Sequence, residues 1–369
     1  MHVTVKHIDL PADRRVFAVS DVHGNLDYLK GLLEKISFSQ DDVLLILGDL
    51  IEKGPQNIET LQYIIQLCKT HTVHVLRGNC DRLLFDDSIP DEWLFRFRNS
   101  WGGRTVTNDF ARRLNLPLNQ VEDVAPLRRA VKQEFPEEIA FLTDLPVILE
   151  SDHYIFVHGG IPGEEALQNL SALNPWECMK NDNFLGQGHV FRNRWCVVGH
   201  WPATLYREQW PCANPLVDPK QQIVSIDGGC VIKQDGQLNA LLLPAVPHAD
   251  NFSWTSYDAL PTAEALDPQT ACENSVNIRF GDNALEILER GEEFCSCRHL
   301  STGRILNILT KYLWETDHGI FCEDSTDYLL PVQPGDRLSV IEQTSRGWLV
   351  KKDGVTGWYT GRLTGRDTP

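Results

Sequence analysis

No window of the 369 residues approaches the ~18 consecutive apolar residues that a membrane-spanning helix needs, so a membrane protein is not expected. The opening stretch MHVTVKHIDLPADRR lacks the basic-then-apolar layout of a secretory signal, and a cytoplasmic location is the resulting expectation. Cysteine occurs ten times, yet only Cys295 and Cys297 lie close together and no pair has zinc-ribbon spacing. In a chain of this length that predicts reduced, structural thiols rather than a disulfide scaffold. Basic residues are in deficit, with 34 Lys and Arg against 51 Asp and Glu and a net charge of −17. Tight, nonspecific nucleic-acid binding needs a basic surface and is not expected. A repeat of solenoid period is also missing.

What is present is a hydrophobic content of 42%, normal for a chain that buries a sizeable core, and enough length for two domains or one with an appendage. Residues 16–82 read as strand, helix, strand, helix, strand. VFAV (16–19), DVLLILGD (42–49) and HTVHVLRGN (71–79) are the strands, LDYLKGLLEKI and NIETLQYIIQLCK the helices, the second opened by Asn57 as expected N-cap. Alternation of this kind implies right-handed parallel crossovers. Residues 83–150 look mainly helical and carry Arg96, Arg98, Arg104, Arg112, Arg113, Arg128 and Arg129, the pattern of a cap or insert. Short strands then return in YIFVHGG, WCVVGH and QQIVSIDGG, and CVIKQDGQLNALLLP reads as a hairpin turning at Asp235-Gly236 that closes a domain over 1–245.

Each predicted strand ends in polar residues, and ligands of open α/β sheets gather at such carboxyl ends. In order these are Asp21-x-His23, Gly48-Asp49, Gly78-Asn79, His158-Gly159-Gly160 and Gly199-His200. Two Asp, one Asn and three His form a mixed oxygen and nitrogen set that suits Mn²⁺, Fe²⁺ or Zn²⁺ better than Ca²⁺ or a thiolate-selected metal. A carboxylate shared by two ions would hold them ~3.5–4 Å apart, the arrangement used for phosphoryl transfer.

The ordered motifs D-x-H-G, G-D-x-x-x-x-G, G-N-x-[DE], H-G-G and G-H resemble the calcineurin-like metallophosphoesterase superfamily, over roughly residues 16–245, and within it the phosphoprotein-phosphatase type. Bacterial members of that type include Ser/Thr protein phosphatases and symmetrical dinucleoside-polyphosphate hydrolases. The resemblance implies an α/β fold, an α/β/β/α sandwich. It implies that Asp21, His23 and Asp49 bind one ion, and that Asp49 bridges to a second held by Asn79, His158 and His200. It further implies attack on phosphorus by a metal-bridging hydroxide, with Mn²⁺ the first expectation and Fe²⁺ or Zn²⁺ the others. Arg77, Lys53 and Asn79 are the expected phosphate contacts. Lys53 stands where the family usually has an Arg, and a lysine is a point charge without the planar fork.

Three positions depart from that pattern. The family's G-N-H-[DE] supplies a His as general acid, whereas here the motif is GNCD, with Cys80 in the His position and Asp81 after it. Glu52 stands where the acid that orients that His usually lies. Cys80 is read as a space-filler, a proton donor or a redox group, and Cys80, Asp81 and Glu52 together are the candidate catalytic residues. GNCD also occurs in small phosphodiesterases of the superfamily, but their G-H-x-H ending is replaced here by GHWPAT, with Pro202 at the second His. In NPWECMKNDNFL the common Trp-Ile-Arg is replaced by Trp176-Glu177-Cys178, with Lys180 nearby.

Residues 246–270, rich in Pro, Ala, Ser and Asp, read as a linker, 271–316 as a small β-meander and 317–369 as an all-β module. DYLLPVQPGDRLSVIEQTSRGWLVKKDGVTGWYTGRL, 327–363, resembles an SH3 domain. That implies either a groove for a proline-rich peptide or packing within the chain, with Trp348 and Tyr359 as groove candidates and Trp358 as core. The functional expectation is a two-metal phosphoesterase acting on phosphomonoesters, phosphoproteins among them. The alternatives are a dinucleoside-polyphosphate or nucleotide hydrolase, for which the Arg-rich insert would bind the extra phosphates, and a catalytically impaired phosphate-binding scaffold. The expected partner is accordingly a phosphorylated small molecule, nucleotide or protein.

Overall fold

The computed structural model describes residues 2–366 apart from positions 83 and 85. The ends of the expected 1–245, 83–150 and 317–369 segments that fall at Met1, Leu83 and residues 367–369 therefore lie outside the described residues. The chain divides into two units. The first runs to Ala203 and adds Pro215–Ile232 and Gly236–Asp258; the second joins Thr204–Asn214 and Lys233–Asp235 to the chain from Ala259 onward. Among the described residues no helix is long and apolar enough to cross a membrane.

Strands of the first unit are Val5–His7 (β1), Val16–Val19 (β2), Val43–Leu47 (β3), Thr72–Leu76 (β4), Ile148–Glu150 (β5), Tyr154–Val157 (β6), Trp195–Val198 (β7), Leu216–Asp218 (β8), Ile223–Ser225 (β9), Leu238–Leu242 (β10) and Ser253–Tyr257 (β11). Its helices are Leu26–Lys35 (α1), Asn57–Thr70 (α2), Asp91–Phe97 (α3), Val106–Arg113 (α4), Val124–Glu134 (α5), Pro136–Asp144 (α6) and the short Pro175–Met179 (α7). One sheet has the order β11-β10-β2-β3-β4, with β2, β3 and β4 parallel and Val16 opposite Val43. The other has the order β1-β5-β6-β7-β9-β8, with β6, β7 and β9 parallel.

Residue alternation in β2 and β3 builds two cores at once. Ala18, Val43, Leu45 and Leu47 pack with Phe156, Val197 and Val224 of the other sheet. Phe17, Val19, Leu44 and Ile46 pack with Leu29 and Leu32 of α1 and with Leu61 and Ile64 of α2. Strands buried on both faces read as unbroken apolar runs, and each fully buried Val, Leu or Ile contributes about 1.5–3 kcal/mol of transfer free energy. Helix α1 starts because the Asn25 side chain accepts from Tyr28 N at 3.4 Å, and it buries Leu26, Leu29, Leu32 and Leu33 at helical spacing. Beyond the end of β6, α7 is tied down where Cys178 O accepts from Gly159 N at 2.8 Å. The result is the expected α/β/β/α order.

Four expectations are corrected. Asn57 does not cap α2, whose flanking residue is Gln56; Asn57 is buried and donates to Gly54 O and Asp109 Oδ2 at 3.2 and 2.8 Å. No hairpin turns at Asp235-Gly236: β10 pairs with β2 and β11, and Asp235 belongs to the second unit, where its carbonyl accepts from Lys351 Nζ at 2.8 Å. Residues 246–270 are not a plain linker, because β11 adds a fifth strand to the first sheet. Polar, Pro-flanked composition concealed a strand whose Tyr257 packs edge-on against Tyr28, centroids 5.7 Å apart. Finally, the insert's helices end at Asp144, and Ile148–Glu150 is already a strand.

The second unit is all-β among its described residues, apart from the single 3-10 turns Ala203–Tyr206, which begins in the first unit, and Thr310–Tyr312. Thr262–Glu264 (β12), Asn277–Ile278 (β13), Ala284–Glu289 (β14), Phe294–His299 (β15), Ile305–Leu309 (β16), Leu313–Thr316 (β17), Gly319–Cys322 (β18), Ser325–Thr326 (β19), Arg337–Thr344 (β20), Gly347–Lys352 (β21) and Val355–Tyr359 (β22) form sheets ordered β16-β15-β14-β18-β17 and β12-β20-β21-β22, plus the β13-β19 pair. The boundary expected at 316 therefore cuts between the paired strands β17 and β18. The aromatic assignment inverts. Trp348 and Tyr359 are completely buried with Val350 and Leu338, so neither lines a groove. Trp358 instead borders a cleft of about 270 Å³ with Phe294, Leu329 and Arg346. Strand alternation explains the swap, because Trp358 and Tyr359 point to opposite faces.

Candidate metal centre

All five polar strand ends of the motif series meet at one place, because the parallel strands of both sheets finish on the same edge. The loops after β2 and β3 are zipped together: Asp21 N donates to Gly48 O at 3.1 Å and His23 N to Asp49 O at 2.9 Å. The loops after β6 and β7 are joined by Gly199 N to His158 O at 2.9 Å, and His200 N donates to Asp21 Oδ2 at 2.9 Å, linking the two sheets. Asp21, His23, Asp49 and His200 all adopt left-handed backbone, with φ of 57°, 49°, 51° and 67°. Asp and His tolerate that region better than most residues, and each instance still costs about 1–3 kcal/mol, a cost typical of functional sites. A Cβ at Gly78 would collide with Asp49, and one at Gly199 with Ser20 and Asp21. Those two glycines let the loops close.

Asp49 holds the centre. Its Oδ2 lies 3.6 Å from His23 Nε2 and its Oδ1 3.3 Å from His158 Nε2, so one carboxylate presents an oxygen to each histidine. Asp21 Oδ1 is 3.7 Å from His23 Nε2. Two atoms each ~2.1 Å from one ion are at most ~4.2 Å apart, so each pair can share an ion. The donor atoms of Asp21, Asp49 and His158 all lie within 4.8 Å of one another, as do those of His23, Asp49 and Cys80. His158 Nδ1 donates to Leu47 O at 2.7 Å, which turns Nε2 inward as a metal ligand's second nitrogen requires. Asn79 Oδ1, Asp21 Oδ1, His158 Nε2 and Asp227 Oδ2 are buried without a hydrogen-bond partner in the protein. Buried polar atoms are rarely left so, and these are the donors a divalent ion would take. The residues fit the two ions that the motif pattern implies.

Charge balance points the same way. Asp21, Asp49, Asp81 and Asp227 are each at most 1% exposed, and such charges are costly unless compensated. Burial pulls His158 toward its neutral form, but Asp49 and Asp21 outweigh it and raise its pKa to about 10. Burial and the neighbouring Lys53 hold His23 neutral, down at about 3. Burial favours a neutral Asp49, yet His158 and His23 keep its carboxyl well below the usual range.

Other predicted residues have less direct places. Asp81 accepts from Asp49 N, Gly78 N and Leu50 N at 2.8, 2.8 and 2.7 Å, so it fixes the loops that carry Asp49 and Asn79 and is a positioning residue. Arg77, expected at the phosphate, is engaged on another side: its Nη2 donates to Leu142 O and Thr143 O, both at 2.5 Å, at the end of α6. Glu52 accepts from Val106 N at 3.0 Å at the start of α4, and burial raises its pKa to about 8. Cys80 is buried beside the cluster, its N–H donating to Asp49 Oδ1 at 2.8 Å and its sulfur accepting from Asn79 Nδ2 at 3.2 Å. Burial and Asp49 push its thiol well above the ordinary value. His200 lies with its ring 5.2 Å from that of His158, while its Nε2 meets Asp182 Oδ1 at 2.7 Å and Lys180 Nζ at 3.3 Å, leaving Nδ1 for an ion. Much of the Arg-rich insert is tied to the protein: Arg112 to Asp109, Arg113 to Glu59, and Arg128 to Asp86 O, Ile89 O and Asp91.

Two residues were not anticipated. Asp227 ends β9 as the candidate ligands end their strands, so the signal was in SIDGG. Asp182, which anchors His200, carries no signal beyond an unremarkable loop.

The profile of the calcineurin-like phosphoesterase family matches residues 14–227, more than half of the chain. This protein belongs to that family. A symmetrical bis(5'-nucleosyl)-tetraphosphatase from Hamiltonella defensa is 41% identical over 66 residues, 18% of this chain and 23% of that one. One from Vibrio campbellii is 27% identical over 146 residues, 39% of this chain and 44% of that one. The chain thus spans under half the length of these curated relatives. Among solved structures, a protein serine/threonine phosphatase from Saccharomyces cerevisiae is 12% identical with a TM-score of 0.43, covering 70% of this chain and 84% of that one. A cold-active protein-tyrosine phosphatase from a psychrophilic Shewanella is 16% identical with a TM-score of 0.39, covering 69% and 82%.

Proposed function

We propose that this family member is a two-ion phosphoesterase that hydrolyses phosphomonoesters, phosphoproteins among them. The observation that carries the reading is the Asp49 carboxylate, with one oxygen facing His23 and the other His158. Asp21, His23 and Asp49 would hold one ion, and Asp49, Asn79, His158 and His200 the other, with Mn²⁺ the first choice. Bound there, such ions supply a water nucleophile at neutral pH and neutralise phosphoryl charge.

The chain's own groups do the rest. Leu47 O keeps the His158 proton on Nδ1, and Asp182 fixes the His200 ring. Lys53 and Lys180 are the cations in contact with the cluster histidines, and as point charges they attract phosphate oxygens without imposing planar geometry. The Cys80 thiol stays protonated in its buried setting. A thiol is a weak donor, so a leaving group that departs as an anion suits this site.

That property favours a second reading, hydrolysis of phosphoanhydrides such as dinucleoside polyphosphates, the substrates for which the curated relatives are named. The test is one panel with Mn²⁺: p-nitrophenyl phosphate, a phosphoserine peptide and diadenosine tetraphosphate. Turnover of the first two carries the phosphomonoesterase reading, turnover of the third alone carries the second, and turnover of none removes both.

A further inference from the structure

Lys53 stands in the family motif as a phosphate contact, yet its ammonium lies inside the ligand cluster. Nζ is 3.0 Å from His23 Nε2 and 3.9 Å from Asp49 Oδ2, and the side chain is 13% exposed. The backbone explains the path. Glu52 and Lys53 are both left-handed, with φ of 72° and 73°, and this turns the Lys53 side chain back over Asp49 four residues earlier. His23 Nδ1 faces Ile51 O at 3.4 Å, so the Nε2 lone pair is the one that accepts from the ammonium. Asp21 and Asp227 add attraction from the other strands. Two of the three first-ion residues, His23 and Asp49, thus already face one positive nitrogen.

We propose that the Lys53 ammonium is a built-in competitor for the first-ion position. It keeps His23 and Asp49 assembled beside Asp21, and an ion binds those three residues only by displacing it. The first site of this chain is accordingly loaded more weakly than the second, of whose donors Lys53 meets the shared Asp49 through Oδ2, the oxygen that faces His23. A place for the displaced ammonium is at hand, because Nζ is already 5.4 Å from the centre of the Trp101 ring and an aromatic face attracts a cation. Trp101 is 38% exposed, so movement toward it carries Lys53 outward. The inference rests on the two-ion reading and adds an order of loading to it.

The experiment is Mn²⁺ titration of the chelator-stripped full chain, followed by calorimetry and by electron paramagnetic resonance, which separates isolated from spin-coupled Mn²⁺. Wild type should bind one ion tightly and a second weakly, with the spin-coupled signal appearing only in the second step. Lys53→Met should tighten that second step about 10–100-fold, the range for changing a metal ligand's immediate partner, whereas Lys53→Arg, which keeps the cation, should not. Two equally tight sites in wild type would overturn the proposal whatever the variants do, and so would a Lys53→Met titration identical to wild type. In both cases the two-ion reading survives. Failure of every form to bind a second ion would remove the two-ion reading and this inference with it.

Discussion

Changing Asp49 to Asn keeps the shape of the side chain and removes the charge that faces both His23 and His158. With Mn²⁺ present, kcat on p-nitrophenyl phosphate should fall by about 10³-fold or more, the several kcal/mol that Lewis-acid centres supply. Circular dichroism should stay that of the wild type; full turnover would end the shared-carboxylate mechanism. Cys80 offers a second residue-scale test. A well-placed general acid is worth about 10²–10⁴-fold where the leaving group needs a proton. Cys80→His should therefore raise kcat on an alkyl phosphate far more than on p-nitrophenyl phosphate, with the buried Glu52 carboxyl available to orient the ring. Equal changes on both substrates would show that position 80 is not where the proton comes from.

At the scale of elements, the loops after β3 and β4 are held by Asp81, and α6 is held by Arg77. Truncating Arg77 to Ala leaves two helix-end carbonyls without their charged donor, and hydrogen bonds to charged groups contribute about 1.5–3 kcal/mol. The expected result is a lower Tm with KM for p-nitrophenyl phosphate unchanged. A raised KM at constant Tm would return Arg77 to the phosphate. The sequence placed this Arg one residue before Gly78 correctly, but a strand end has two sides. Which side a residue takes depends on what packs there, in this case the C-terminus of α6.

For the whole molecule, the ligand cluster ties the sheets together through a protonated His158 when no ion is bound. Its folded pKa of about 10 lies above the ordinary ~6.5 of the unfolded chain. The stabilisation is therefore complete below pH ~6.5 and lost as pH rises through about 10. Thermal melts of chelator-stripped protein should show Tm falling between pH 7 and 10. Mn²⁺ should flatten that slope by taking the place of the proton, and an unchanged slope would deny the pairing of His158 with Asp49. Truncation after Asp258 is the other whole-molecule test. Thr204–Asn214 and Lys233–Asp235 belong to the second unit, where Asn277 Nδ2 donates to Thr204 O at 3.0 Å and Lys233 pairs with Asp324 at 2.5 Å. Removing their partners should lower Tm strongly, with kcat per folded molecule little changed since every proposed ligand precedes residue 228. An unchanged Tm would restore the picture of modules joined by a simple linker.

The sequence by itself determined the parallel strand-helix succession of residues 16–82 and the polar strand ends, because apolar period and turn chemistry are local properties. Asp21, His23, Asp49, His158 and His200 were legible for that reason, and Asp227 was legible as the polar end of QQIVSIDGG although the metal-ligand pattern did not include it. Only the tertiary structure decided which neighbours those side chains meet. It turned Arg77 toward α6, drew Lys53 into the cluster, buried Trp348 and Tyr359 and left Trp358 half-buried at the border of a cleft. It also made β11 a strand by pairing it with β10, although its flanks read as linker. Side-chain direction depends on partners that for Lys53 and Arg77 lie 30 and 65 positions away, and a local pattern holds no record of them.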